Sequence, residues 1–451
     1  MGLSSDRTGA GIEVRKTPHA EAPATKVQLL GNQTVLPRAR KTICVVGLGY
    51  IGLATSAMLA SRNFTVLGCD LKQDVVDSVN HGRAHIDDPG LSALVADTVA
   101  AGRLKAFVSP QAADTFIIAV PTPVRHDNNH EPDLTYVFDA GDAIAPVLQR
   151  GNLVILESTS PVGTTRALAE HIGRLRPDLT IAGAGALHPD LFFAYCPERI
   201  IPGAMLQELS KNDRIIGGID AWSSQLAHGV YGALGNIRCH LTDDRTAEMV
   251  KLVENAYRDV NIAFSNEISL LCRNSGLDAF EVIGLANHHP RVKILRPGPG
   301  VGGHCIAVDP WFLVAADREN TTLIAAARNV NDRKPDVVAD DVEFLAQEVS
   351  GPILLLGLSY KENVADFRES PSLKIARRLT ASLGERVLCA DPFADLNAET
   401  RQAVAGLNIV DAEPALSQAA IVVMLVSHAA YAAFRTAESQ HLHDVVGFLR
   451  R

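Results

Sequence analysis

The sequence predicts an α/β protein in which two Rossmann-like, doubly wound domains flank a central helical domain built on one long helix. Three observations carry this. An apolar run, Thr42–Val46, leads directly into Gly47-Leu-Gly49-Tyr50-Ile51-Gly52 and a helical stretch reaching Arg62. Between Asp243 and about Gly276 the pattern stays helical, and glycine and proline punctuation disappears. From Pro352 the succession of apolar strand, glycine turn and helix begins again. At 451 residues the chain exceeds the size at which a single core stops growing, so several domains are expected.

In chain order, residues 1–40 are mixed polar, with no regular period and no apolar core of a signal peptide, and read as a mobile tail. Residues 41–240 form the first α/β domain. Gly47 makes a tight turn, Gly49 lets a pyrophosphate approach the backbone, and Gly52 permits close helix–strand packing. The phosphates then rest on the helix N-terminus, where free N–H groups favour an anion. A second strand, Thr65-Val-Leu-Gly-Cys, ends in Asp70, close to the ~20-residue offset of an acid that binds a ribose 2′-OH, which favours NAD over NADP. Two further strands, Thr115–Val120 and Leu153–Leu156, end in Pro121-Thr122-Pro123 and Glu157-Ser-Thr159. Ligands bind at such carboxyl ends, so Thr122 and Thr159 are candidate cofactor contacts.

Residues 241–335 form the central helical region. Lys251, Asn255 and Asp259 recur at i, i+4 and i+8, a stripe that on its own reads as a solvated face with Glu254–Arg258 a surface ion pair. Residues 298–311 read Gly-Pro-Gly-Val-Gly-Gly-His-Cys-Ile-Ala-Val-Asp-Pro-Trp and set the Cys305 thiol beside four glycines. Bare backbone can approach a ligand there, and its N–H groups can favour a thiolate and hold an oxyanion. Upstream, Glu198 stands in the proline- and glycine-bounded loop Tyr195-Cys-Pro-Glu198-Arg199-Ile-Ile-Pro-Gly203. Cys305, Asp309, Glu198, Lys251 and Asn255 would supply a nucleophile, acid/base groups and oxyanion donors if the fold brings them together.

Residues 336–451 form the second α/β domain, in which Lys361 and Arg368 are candidate phosphate ligands and Asp391 ends a strand. Two such domains suggest one seat for a cofactor and one for a nucleotide-linked substrate. A net charge of −9 with no basic patch argues against nucleic acid. No apolar run approaches the ~18 residues needed to span a bilayer, so no membrane partner is expected. Seven cysteines without paired spacing suit a reducing compartment, and no metal-ligand cluster stands out.

Six motifs in order resemble those of the UDP-glucose/GDP-mannose dehydrogenase family, the UDP-sugar 6-dehydrogenases, from about residue 42 to about 430. They are Gly47–Gly52, Glu157-Ser-Thr-Ser-Pro-Val-Gly163, Tyr195-Cys-Pro-Glu198-Arg199, Lys251-Leu-Val-Glu-Asn255, Gly302-Gly-His-Cys305-Ile-Ala-Val-Asp309 and Lys361-Glu-Asn-Val-Ala-Asp366-Phe-Arg368-Glu-Ser-Pro. The resemblance implies an NAD-dependent, four-electron oxidation of a sugar C6 hydroxymethyl to a carboxylate. Cys305 would hold a thiohemiacetal and then a thioester. Lys251 and Asn255 would stabilise the oxyanion, Asp309 would handle protons or water, and Glu198 would be the base for hydrolysis. Cofactor contacts would come from Gly47, Gly49, Tyr50, Ile51, Gly52, Asp70, Thr122, Thr159 and Arg368. Substrate contacts would come from Arg199, Arg258, Gly302, Lys361 and Arg291, the last reaching a neighbouring subunit of a cytoplasmic homodimer. Within the family the likeness is greatest to the enzymes of UDP-N-acetyl-D-mannosamine. Pro202 and Val308 stand where UDP-glucose enzymes often have glutamate and lysine, which puts in doubt any mechanism needing that second carboxylate. UDP-N-acetylglucosamine, UDP-glucose and a two-electron hydroxyacid-type oxidation are the alternatives.

Overall fold

The computed structural model describes residues 41–449 except 87, 126–129, 184–187, 201–202, 236 and 304. The expected tail, Pro202 and His304 therefore lie outside the described residues.

Eight strands make the first sheet: β1 (Thr42–Val46), β2 (Thr65–Cys69), β3 (Leu104–Phe107), β4 (Thr115–Ile118), β5 (Asn152–Leu156), β6 (Leu191–Tyr195), β7 (Arg214–Gly218) and β8 (Cys239–Asp243). Their order is β3-β2-β1-β4-β5-β6-β7-β8, parallel from β3 to β6, with β7 reversed against β6 and β8 following β7. Chain order reverses between β1 and β4, the switch point where such sheets bind ligands. β4 and β5 are buried at every position, which is why they read as continuous apolar runs rather than alternating ones.

The second sheet comprises β9 (Ile353–Leu356), β10 (Val387–Ala390), β11 (Ile421–Met424) and β12 (His441–Asp444), all parallel in the order β10-β9-β11-β12. Its first turn repeats that of the first sheet. Gly47 (φ +92°) donates to Cys69 O at 2.8 Å and Leu48 N–H to Asp70 Oδ2 at 3.0 Å. Gly357 (φ +90°) donates to Ala390 O at 2.8 Å and Leu358 N–H to Asp391 Oδ2 at 2.7 Å.

Five helices carry the site. The helix after the first glycine turn is α1 (Tyr50–Ser61); α2 (Thr164–Leu175) follows β5, and the long central helix is α3 (Asp244–Asn274), 31 residues. α4 (Asp309–Ala316) and α5 (Thr322–Glu348) complete the helical region. Glu248 fixes the start of α3 on the first domain. Its carboxylate accepts from Gly163 N–H at 2.5 Å and from Thr165 N–H at 2.8 Å, satisfying free donors at the N-terminus of α2. Arg166 clasps Asp244 with two bonds of 2.9 and 2.8 Å beside it.

The stripe on α3 is not solvated. Lys251, Asn255 and Asp259 are all buried. Asp259 pairs with Arg328 of α5 at 2.5 Å and accepts from Asn331 at 2.8 Å. Asn331 in turn accepts from Asn266 at 2.9 Å, and Asn266 receives Gly298 N–H at 2.9 Å, so the helix pair holds the start of the Cys305 loop. Nor does Glu254 pair with Arg258: it takes two bonds from Arg199, of 3.1 and 2.6 Å, because the first domain brings that guanidinium onto α3.

Candidate active site

The glycine turn has the form its sequence predicts. A Cβ on Gly52 would lie 1.8 Å from Gly47 O, and one on Gly47 would lie 2.6 Å from Ala119 O, so both glycines are required by the protein's own packing. A Cβ on Gly49 would meet no protein atom within 4 Å. Its bare backbone instead faces open space, the place a pyrophosphate would take. Asp70 braces the turn through Leu48 and Lys72 N–H groups, each at 3.0 Å, while Thr122 and Thr159 stand half-buried past the ends of β4 and β5. The residues present therefore fit NAD. Two substitutions separate the roles. Gly52→Ala should cost about 1–3 kcal/mol as overpacking, seen as a lower thermal midpoint. Gly49→Ala should leave that midpoint near wild type and weaken NAD binding in a titration.

The reacting group is assembled from three elements. Lys251 and Asn255 lie one turn apart on α3, Asp309 opens α4, and Cys305 sits on the loop between, its carbonyl accepting Asp309 N–H at 2.9 Å. Asn255 Nδ2 donates to Asp309 Oδ2. Cys305 is exposed to solvent on one side and closely surrounded by protein atoms on the other. Burial pushes the Asp309 carboxyl up to about 6, against the pull of Lys251 and of the Asn255 bond. Desolvation by the surrounding protein raises the Cys305 thiol above its ordinary value and Asp309 adds to this, while Lys251 and Arg368 oppose it.

That corrects one expectation: the loop does not by itself favour a thiolate. Its Gly300, Gly302 and Gly303 are spent on packing against the second α/β domain. A Cβ on Gly302 would lie 2.7 Å from Glu369 O and 2.8 Å from Tyr360 Cβ, and Gly303 (φ +79°) donates to Arg368 O at 3.1 Å. The backbone is bare so that the Tyr360–Pro371 segment can press against it. Arg368 pairs with Asp366 and lays its guanidinium 4.4 Å from the centre of the Tyr50 ring, joining this segment to the N-terminus of α1, where Ile51 is half-buried.

Because Asp309 is nearly fully buried, its elevated pKa has a stability consequence. The neutral acid is the form the fold prefers. Its contribution is whole below about pH 4, the ordinary carboxylate range, and is lost as pH rises through about 6. Asp309→Asn should therefore gain on wild type in thermal midpoint between pH 4 and 7, by up to about 3 kcal/mol. A constant difference across that range would contradict the assignment.

Glu198 is buried in a second group of charges. Its Oε2 accepts from Arg214 at 2.9 Å and its Oε1 from Arg199 N–H at 2.7 Å, so both carboxylate oxygens are held by the first domain. Arg214, also buried, lies 4.7 Å from the centre of the Tyr231 ring and 3.8 Å from Glu157, which accepts from Tyr231 at 3.2 Å and from Thr55 of α1 at 3.3 Å. Burial pushes Glu157 up, with Glu198's charge adding and Arg214 opposing. Sequence reading missed Arg214, Tyr231 and Glu157 as one cluster. The only local signal was a cation opening an otherwise apolar strand.

Arg258 is exposed on α3, and Lys361 is half-buried near it. Burial lowers Lys361, Glu208 and Glu362 favour its charge, and Arg258 opposes it. Arg291 is exposed, its N–H on His289 Nδ1 at 3.3 Å. Among the described residues no cluster of His, Cys, Asp or Glu could hold a metal ion, and no helix is long and apolar enough to cross a membrane.

A dinucleotide turn on the first sheet and a thiol, lysine and carboxylate group under a second nucleotide-type domain define a nicotinamide-dependent oxidoreductase. The chain belongs to the UDP-glucose/GDP-mannose dehydrogenase family and is an NAD-dependent nucleotide-sugar dehydrogenase. The family's NAD binding domain matches residues 41–234, its central domain 245–333 and its UDP binding domain 354–449. The chain is 50% identical over 389 residues (86% of its length, 91% of the relative's) to a Ralstonia nicotianae protein named NDP-N-acetyl-D-galactosaminuronic acid dehydrogenase. It is 44% identical over 420 residues (91% and 99%) to the UDP-N-acetyl-D-mannosamine dehydrogenase of Escherichia coli K12. A solved UDP-D-ManNAc dehydrogenase from Pyrococcus horikoshii superposes with TM-score 0.79 at 33% identity, covering 90% of this chain and all of that one.

Proposed function

We propose that the protein oxidises C6 of UDP-N-acetyl-D-mannosamine to the uronate in two steps through a thioester on Cys305. The observation that carries this reading is an exposed Cys305 beside Asp309, with Lys251 and Asn255 on the neighbouring helix turn. NAD, seated on the Gly47–Gly52 turn, supplies the hydride acceptor for both oxidations. Cys305 Sγ adds to the C6 aldehyde, forming the C–S bond as the thiol proton leaves. Lys251 and Asn255 donate to the oxygen that gains charge, each such fixed donor being worth about 3 kcal/mol. Asp309 discourages a standing thiolate while ionised, and taking the thiol's proton removes that repulsion as the bond forms. In the second half Cys305 carries the thioester, whose C–S bond water breaks to release the carboxylate, with Glu198 the assigned base. Lys361 and Arg199 serve the UDP-sugar, Gly302 holds the loop beneath it, and Arg258 is assigned to the N-acetyl group.

The relative named for N-acetyl-D-galactosaminuronic acid, at 50% identity, favours a second reading in which the sugar is UDP-N-acetyl-D-galactosamine. Both are tested by following NADH with the two sugars, UDP-N-acetylglucosamine and UDP-glucose. Two NADH per UDP-N-acetylmannosamine, at the highest kcat/KM of the four, is the expected result. One NADH per sugar would overturn the thioester route, and a preference for the galactosamine would move the assignment to the second reading.

The assembly is assigned as a homodimer. Met249, Val253, Tyr257, Phe264 and Leu271 leave an exposed apolar seam along α3, at the four- and seven-residue spacing that keeps them on one helix face. Arg291 is then the residue that reaches the second copy. Val253→Glu with Phe264→Glu should halve the mass measured by light scattering; an unchanged mass would remove α3 as the interface. The seven free cysteines and the cofactor suit the cytoplasm.

A further inference from the structure

The segment Gly357-Leu-Ser359-Tyr-Lys361-Glu-Asn363 leaves β9 and turns back on itself, with Asn363 in the left-handed region at φ +57°. Asparagine adopts that conformation more readily than most side chains, and the turn it makes is braced from outside. His428 braces it from the loop after β11. Asn363 N–H donates to His428 Nδ1 at 3.0 Å, so Nδ1 carries no proton and the imidazole proton is on Nε2. Nε2 lies 3.1 Å from Asp391 Oδ2 and 3.2 Å from Ser359 Oγ. The Ser359 hydroxyl donates to the Lys361 carbonyl at 2.8 Å. Two outer bonds complete the clasp: Ala429 N–H to Asn363 Oδ1 and Ser427 Oγ to Glu362 Oε2, both 2.8 Å.

Serine, histidine and aspartate here are not a hydrolytic triad. The serine proton is committed to a carbonyl, and the carboxylate and hydroxyl share one ring nitrogen. Ser359, His428 and the Asp391 side chain are fully buried, out of reach of substrate. What the cluster controls is the loop bearing Lys361, whose charge neighbours are Glu208 and Arg258 on other elements.

We propose that His428 is a positioning residue for nucleotide-sugar binding: through Nδ1 it fixes the Ser359–Asn363 loop in the shape that presents Lys361 to the UDP-sugar. This rests on the assignment of Lys361 made above. The test measures KM for the UDP-sugar, KM for NAD and Kd for UDP in His428→Ala, His428→Asn and Lys361→Ala. Asparagine places an acceptor near the Nδ1 position, whereas alanine places none. His428→Ala should raise the UDP-sugar KM and the UDP Kd about tenfold, with kcat and the NAD KM within about twofold of wild type. His428→Asn should recover most of that loss even if its thermal midpoint is lowered as much as the alanine variant's. An unchanged UDP-sugar KM in both His428 variants, or asparagine no better than alanine, overturns the inference. An unchanged KM in Lys361→Ala overturns instead the assignment of Lys361 on which it stands.

Discussion

Cys305→Ala is expected to stop uronate formation, lowering kcat by about 10⁴-fold or more, while the thermal midpoint and NAD titration stay near wild type. The two halves of that expectation come from the same geometry. Cys305 is exposed, so removing its sulfur opens no core cavity, and the turn beneath it is held by the bond from Asp309 N–H to its carbonyl, which alanine retains. The chemistry has no substitute, because the other cysteines with a place in the core, such as Cys44, Cys196 and Cys389, are buried. Cys305→Ser sharpens the test. A hydroxyl fits the space but holds its proton far more tightly than a thiol, and Asp309 at about 6 is too weak a base to compensate. That variant should also fail to reach two NADH per sugar. Two NADH per sugar from either variant would rule out the covalent route.

The second large effect is on stability. Arg214→Met should destabilise the protein by about 3–5 kcal/mol, because it strips the counter-charge from two buried carboxylates at once. Glu157 and Glu198 are 2% and 7% exposed, so neither can turn to water for relief. Glu157, already pushed up by burial, would keep its proton over a wider range. The sign follows: Glu157 is pushed up to about 8 with Arg214 in place and higher without it, so the two proteins lose stability together up to about pH 8 and the Arg214→Met deficit should widen above that. The triple change Glu157→Gln, Arg214→Met, Glu198→Gln should regain much of the thermal midpoint while remaining impaired in hydrolysis. A single variant as stable as wild type at pH 8 would show that the guanidinium is dispensable to the pair.

The fold was legible where local chemistry decides it. Strands buried on both faces read as unbroken apolar runs, and the turn at Gly47 announces its own left-handed conformation. The absence of breakers over Asp243–Gly276 marked the long helix, found at Asp244–Asn274. The group Cys305, Asp309, Lys251 and Asn255 was legible as residue types, and the structure brings those four together. What could not be read was pairing across elements. Nothing near Glu254 says that Arg199 outcompetes Arg258, and nothing near Asp259 points to Arg328, because those partners arrive only when separate helices and loops pack. The glycines around Cys305 misled for the same reason: sequence shows that backbone is bare, not which neighbour needs it bare.

The repeated glycine turn has a consequence for traffic through the enzyme. In the first domain the acid after the turn, Asp70, accepts from Leu48 and Lys72 N–H groups; in the second, the side chain of its counterpart Asp391 is also sealed beneath His428. On the route proposed above, the first turn is then the one berth for a dinucleotide's ribose, and His428 closes the second. Two oxidations served from one berth require the spent carrier to depart and a fresh one to arrive while the work is half done. A free aldehyde could escape during that changeover. A sugar tethered to Cys305 cannot, so a single berth and a covalent anchor are two sides of one timetable.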